Sequence, residues 1–194
     1  MSTTRGVSSV VAVVLLVAVT VVLAGTVFVF VDGAAQGLRQ PAPQVAQSSV
    51  EFPTQSGFAD GVVRVTHRGG DPVPVANVRV QVDTSDVAGC DTDSAEILNL
   101  PSTRSGLGNL GYGEENFAAG DDSPIDEGGP DAEWSAGALH ADTGPNFVVG
   151  DSFAFRLTPS ECPVAPGETV RVTVVHEPSR QVIFTVTATA RDGG

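Results

Sequence analysis

Residues 7–31 read VSSVVAVVLLVAVTVVLAGTVFVFV, 25 consecutive positions without a charged side chain, bracketed by Arg5 and Asp32. In water so many valines would favour strand, but a run this long is several times the length of an ordinary strand. In lipid the backbone must satisfy its own hydrogen bonds, which selects helix. A helix of that length covers about 37 Å, more than the roughly 30 Å hydrocarbon layer of a bilayer. The stretch therefore predicts a membrane-crossing helix over 7–31. Arg5, the charge before it, favours a cytoplasmic N-terminus. A secretory signal cut near Ala34-Ala35 would have a shorter apolar region.

Outward from this run the composition changes twice. From Asp32 to about Ser49 the residues are small, polar or proline, with Pro41 and Pro43 expected to stop any helix. Residues 32–49 read as a stem. From Val50 the pattern turns to strand. Gly61 to His67 alternates in part and runs into the turn signal Arg68-Gly69-Gly70-Asp71-Pro72. Val78, Val80 and Val82 share one face, with Arg79, Gln81 and Asp83 on the other. Phe153, Phe155 and Leu157 do the same, as do Val170, Val172 and Val174. Glu177-Pro178-Ser179-Arg180 reads as a hairpin loop before a last strand over 182–188. Strands with antiparallel turn signals and no amphipathic helix predict a mainly antiparallel β-sandwich over 50–194.

Charge sets one segment apart. The chain carries 23 Asp plus Glu against 10 arginines, with no lysine, for a net charge of −13. Fourteen of the acids and only one base, Arg104, lie between Asp83 and Asp142, so the remainder has nine acids and nine arginines. Residues 84–145 are also rich in glycine and poor in long apolar side chains, and are expected to form a long acidic loop insert with short local elements that buries little surface. A net charge of this sign argues against nucleic acid as a partner. A lysine-free acidic surface suits very high salt, where screening relieves self-repulsion.

The candidate chemistry is sparse. His67, His140 and His176 are scattered and show no nucleophile–His–acid arrangement, so no catalytic residue is assigned and the chain is not expected to be an enzyme. His67 reads as structural, beside the Gly69-Gly70 turn. Asp91, Asp93, Glu96, Glu114, Glu115, Asp121, Asp122, Asp126 and Glu127 could supply oxygen ligands to Ca²⁺, but Asp91-Thr92-Asp93 lacks the glycine and glutamate of an EF-hand loop. A solvated loop explains them better, and no metal or cofactor is expected. Cys90 and Cys162, 72 positions apart, have no further ligand at zinc spacing. In an oxidising compartment they could pair, closing a loop worth roughly 4 kcal/mol.

The most specific pattern is at the N-terminus. Arg5-Gly6-Val7-Ser8-Ser9 followed by Val17-Ala18-Val19-Thr20-Val21-Val22-Leu23-Ala24 resembles the amino-terminal segment of haloarchaeal type IV pilins. Ser9 stands where that family usually has proline, and Ala12 where glycine is common. Val65-Thr66-His67-Arg68-Gly69-Gly70-Asp71 looks like the family's strand and turn, and Gly167-Glu168-Thr169-Val170-Arg171-Val172 with the Glu177-Pro178-Ser179 loop is similar to its terminal hairpin. The resemblance covers about half the chain and leaves the insert without a counterpart. It implies that residues 1–6 are a leader removed by a membrane-bound prepilin peptidase between Gly6 and Val7. It also implies that the apolar segment stays on the mature protein and packs against other pilin subunits.

These observations lead to one expectation. The chain should be a structural subunit of an archaeal surface filament, used in adhesion. It should begin as a single-pass membrane precursor with its C-terminal domain outside the cell and end in a surface pilus. The competing expectation is a single-span anchor holding an extracellular binding module that never polymerises.

Overall fold

The computed structural model describes residues 5–38, 41–54, 61–106, 109–118, 123–126 and 135–192. The chain divides into two compact units, Met1–Pro41 and Ala42–Gly194. The first holds one helix, α1 (Arg5–Leu38), 34 residues long. It continues past Val31 because residues 32–38 (Asp-Gly-Ala-Ala-Gln-Gly-Leu) contain no proline, and alanine, glutamine and leucine favour helix. Helix thus occupies the first part of the stem expected over 32–49, and strand takes its last part from Val45 onward. Of that stem, Arg39 and Gln40 lie outside the described residues, as do positions 1–4 of the expected leader.

The second unit is built of β1 (Val45–Glu51), β2 (Pro53–Thr54), β3 (Val62–Gly70), β4 (Val73–Pro74), β5 (Val78–Asp83), β6 (Ser94–Ile97), β7 (Ser105–Gly106), β8 (Asn109–Leu110), β9 (Asn146–Phe147), β10 (Ser152–Arg156), β11 (Thr169–His176), β12 (Gln181–Thr189) and β13 (Arg191–Asp192). Two antiparallel sheets dominate. One has the order β1-β3-β10 and the other β12-β11-β5-β6. The short pair β2 and β13 runs parallel. Val63, Val65, Phe153 and Phe155 from the first sheet join Val80, Val82, Val170, Val172 and Val174 from the second in one buried cluster. The alternation read from the sequence thus supplies the two inner faces of a sandwich.

Strand direction gives this domain two distinct ends. The chain arrives at Ala42, whose amide is 3.5 Å from Gln181 Oε1, and Gln44 and Asp71 are joined by two hydrogen bonds. At this basal end lie the turn after β3, the turn 148–151 before β10 and the hairpin loop 177–180. The opposite, distal end carries the β5–β6 and β10–β11 connections. These are tied by the Cys90–Cys162 disulfide and by a bond from the Asp91 amide to the Glu161 carbonyl.

The insert departs from expectation in what it buries. Strand β6 adds to the edge of the second sheet through four register pairs with β5. Ile97, Tyr112, Phe117, Ile125 and Leu139 all belong to the common core. The Tyr112 hydroxyl donates to the Ala154 carbonyl at 2.9 Å. Residues Gly137–Leu139 form a 3-10 turn close to β10. Gly137 has φ 55°, and any side chain there would collide with the Ser152 carbonyl. A few large side chains, each held by a long-range partner, therefore do the work that a continuous apolar stripe does elsewhere. Residues 107–108, 119–122 and 127–134 of the insert, including Asp121, Asp122 and Glu127, lie outside the described residues.

Candidate assembly and processing segment

Helix α1 is the part of the chain with the most unusual surface. From Val10 to Phe28 it is apolar all round and every residue is exposed, with Leu16 at 67 % and Phe28 at 72 %. This stretch of 19 residues is long and apolar enough to cross a membrane. Its two hydroxyl side chains are satisfied within the helix. Thr20 Oγ1 donates to the Val17 carbonyl at 2.8 Å and Thr26 Oγ1 to the Leu23 carbonyl at 2.9 Å. A helix that closes its own polar groups and shows hydrocarbon in every direction is matched to lipid or to other apolar helices, and to water least of all.

Gly6 and Val7, the expected cleavage pair, lie in the first turn of α1. Cys90 and Cys162, the other pair singled out in the sequence, are bonded to each other, with Cys162 buried and Cys90 half-buried. The two pairs belong to different units of the chain.

The three histidines are all buried, each in its own environment. His67 Nε2 lies 3.1 Å from the Asp71 carbonyl, and because a carbonyl can only accept, that nitrogen carries the proton. Its ring meets Phe147 edge-on. His140 Nε2 likewise donates to the Arg104 carbonyl, while Nδ1 accepts from the Asp142 amide, which fixes the neutral tautomer. His176 Nδ1 is 2.8 Å from Ser179 Oγ, and burial holds its pKa below the ordinary imidazole value. Each histidine thus closes a turn or spans two loops, and His67 is structural in the way its neighbouring glycines suggested.

The carboxylates considered as Ca²⁺ ligands are dispersed. Glu96 is 3.6 Å from Arg79 and accepts from Gln81, and Asp126 is paired with Arg156 at 3.1 Å. Glu114 and Glu115 open a 3-10 turn, and Asp91 and Asp93 are exposed in the distal connection. Among the described residues no group of three or more His, Cys, Asp or Glu side chains is placed to hold a metal ion. Asp83, at the end of β5, is held below the usual carboxylate range by the Ser85 hydroxyl and amide, with a smaller contribution from Arg171.

Sequence reasoning passed over two features. Tyr112 is fully buried in the insert, and burial pushes its phenol well above the ordinary value. Val148, Val149 and Val182 are the large apolar side chains that the β-domain leaves exposed among its described residues. Neither feature has a local signature, because both depend on which strands pair.

A family comparison bears on the same N-terminal segment. Residues 5–47 match the family model described as archaeal type IV pilin, N-terminal. Over 79 residues the chain is 37 % identical to an uncharacterized protein of Archaeoglobus fulgidus. That match covers 41 % of this chain and 52 % of the relative, so the chain spans about half the length of the curated relative it matches. The family is structural, and its N-terminal region implies membrane association and assembly with other pilin subunits.

Proposed function

We propose that this chain is a structural subunit of an archaeal type IV pilus-like surface filament, and that the filament serves surface attachment. It starts as a single-pass precursor with its N-terminus in the cytoplasm and its β-domain outside. A prepilin peptidase cuts between Gly6 and Val7, and the mature subunit then joins other pilin subunits in the filament core.

The observation that carries this reading is the all-round apolar surface of α1, within a segment that matches the pilin N-terminal family. Thirteen large apolar side chains are exposed between Val10 and Phe28. At about 1.5 kcal/mol for each one buried, covering them is worth on the order of 20 kcal/mol, more than the roughly 5–15 kcal/mol that holds a typical domain folded. Such a rod leaves lipid only by packing against like rods. A cut after Gly6 removes Arg5 and keeps the whole apolar stretch, so the mature N-terminus is free to enter that packing. The lysine-free, acid-rich remainder of the chain suits a subunit exposed to concentrated salt, in keeping with a haloarchaeal source.

Sequencing the N-terminus of the mature chain tests processing, with Val7 as the expected first residue. An uncleaved N-terminus would instead favour the anchored module that never polymerises. Immunogold electron microscopy of shed filaments tests assembly, and filaments that never carry the chain would sink the reading.

A further inference from the structure

From its basal turns, we propose that the β-domain rests this end against the lipid surface, with Val148 and Val149 dipping into the headgroup layer. The inference builds on the membrane-spanning role proposed for α1.

Four observations meet here. First, Val148, Val149 and Val182 are 38 %, 55 % and 58 % exposed and all belong to the basal end. The turn 148–151 is fixed to the last part of β3 by bonds between His67 and Gly150 and between His67 and Asp151. Val182 directly follows Gln181, the residue at the Ala42 amide. Second, this is the end at which the chain arrives. Ala42 follows the last residue of α1 by four positions, and a 34-residue helix covers about 51 Å against the roughly 40–45 Å of a bilayer with its headgroups. The basal end is thus the part of the β-domain that the chain reaches first after the membrane-crossing helix.

Third, the carboxylates at this end are offset by basic side chains, with Asp71, Asp151 and Glu177 standing against Arg68, Arg79 and Arg180. Asp71 accepts from the Gln44 amide, Asp151 from the Val148 amide, and Glu177 is ion-paired with Arg79 at 3.3 Å. Arg68 and Arg180 stand exposed at the same end and complement anionic headgroups. Fourth, Val148 and Val149 make a small apolar tip on the 148–151 turn, while Val182 belongs to strand β12. A loop tip that places a small apolar group in an interface suits a fluid surface better than a shaped protein partner.

The test uses the full-length precursor in vesicles of phosphatidylcholine and phosphatidylglycerol. A polarity-sensitive fluorophore is attached at Val149→Cys, and in a second preparation at Ala165→Cys, an exposed distal position. The expected result is a blue shift at 149 and quenching there by lipid carrying a nitroxide near its headgroup, with neither change at 165. A label at 149 that stays in water would overturn the proposal. So would one that becomes protected only in assembled filaments, because the partner would then be a second copy. If the precursor resists carbonate extraction while the 149 label stays wet, this inference fails and the membrane-spanning reading stands. If the precursor never inserts, the membrane-spanning reading is what fails.

Discussion

The two ends of the β-domain answer to different solvents. The distal end has its connections stapled by Cys90–Cys162 and shows exposed Asp86, Asp91 and Asp93 to water. Glu168 is turned back there to accept from the Ala88 and Ala165 amides. The basal turns carry exposed valines, two exposed arginines, and carboxylates already held by an amide or a guanidinium. One fold therefore presents a covalently tied acidic cap and a nearly neutral apolar base. The same two sheets run through both, so the difference lies in the loops. Sheet packing makes the domain, and loop chemistry gives it a direction.

The largest way to break that contrast is to open the distal staple. Replacing Cys90 and Cys162 with serine frees a loop of 72 positions and should cost about 4 kcal/mol of unfolding free energy. Urea titration of the detergent-solubilised chain, followed by near-ultraviolet circular dichroism, reads the loss. The helical far-ultraviolet signal of α1 should persist through the transition. A cost below about 1 kcal/mol would mean that the distal end is held by its other contacts, and the comparison of the two ends would lose its covalent half.

A smaller effect should come from the insert, which flanks both ends. Tyr112→Phe removes the hydroxyl that donates to the Ala154 carbonyl and leaves that buried oxygen unpaired. The expected cost is about 1–2 kcal/mol, read by the same titration. A neutral outcome would show that the insert is packed by shape alone. Conversely, a loss as large as that of the cysteine pair would make the insert, rather than the staple, the main fastener.

At the basal end pH offers a reversible probe. His176 closes the β11–β12 hairpin through Ser179, and burial depresses its pKa below the ordinary value of 6.5. The unfolded chain then binds more protons than the folded one in the window below 6.5. The contribution of His176 is complete above that pH and is lost as pH falls toward the folded pKa. Thermal melts between pH 7.5 and 5 should show this decline, and His176→Gln should flatten its share of it. A variant with the same slope as the native chain would remove His176 from the account.

How much of this was legible beforehand follows the reach of the interactions. Helix α1 needs no partner to be recognised, because its apolar run exceeds any strand and its proline stop is written at Pro41. Strands β5, β10 and β11 were readable because their alternation is local, and β12 because it follows the hairpin loop 177–180. The start of β1 was not, since Val-Ala-Gln-Ser-Ser alternates weakly and its position is set by the Gln44–Asp71 exchange across 27 residues. The insert was misjudged for the same reason. Ser102 reaches Gly111, Tyr112 reaches Ala154, and His140 reaches Arg104, none of which composition reports. Gly6-Val7 came only from the family resemblance, as no physical signal in those two residues marks a cut. Val148 and Val149 look like any loop residues until the pairing of β3 and β10 assigns them to the base.

The smallest expected effect concerns the acidic cap itself. Asp91 and Asp93 are exposed and have no ion pair among the described salt bridges, so each adds repulsion to a distal end already negative. Added salt should stabilise the domain, because the screening length falls from about 10 Å at 0.1 M to about 3 Å at 1 M. Asp91→Asn with Asp93→Asn should capture part of that gain without salt, by no more than about 0.5 kcal/mol, since both sites are on the surface. The informative quantity is the slope of stability against salt, which should be shallower in the double variant. Equal slopes would place the salt response elsewhere in the chain. The cap would then be acidic for solubility in concentrated salt, with no bearing on its own folding, and the contrast between the two ends would rest on the basal valines and the disulfide alone.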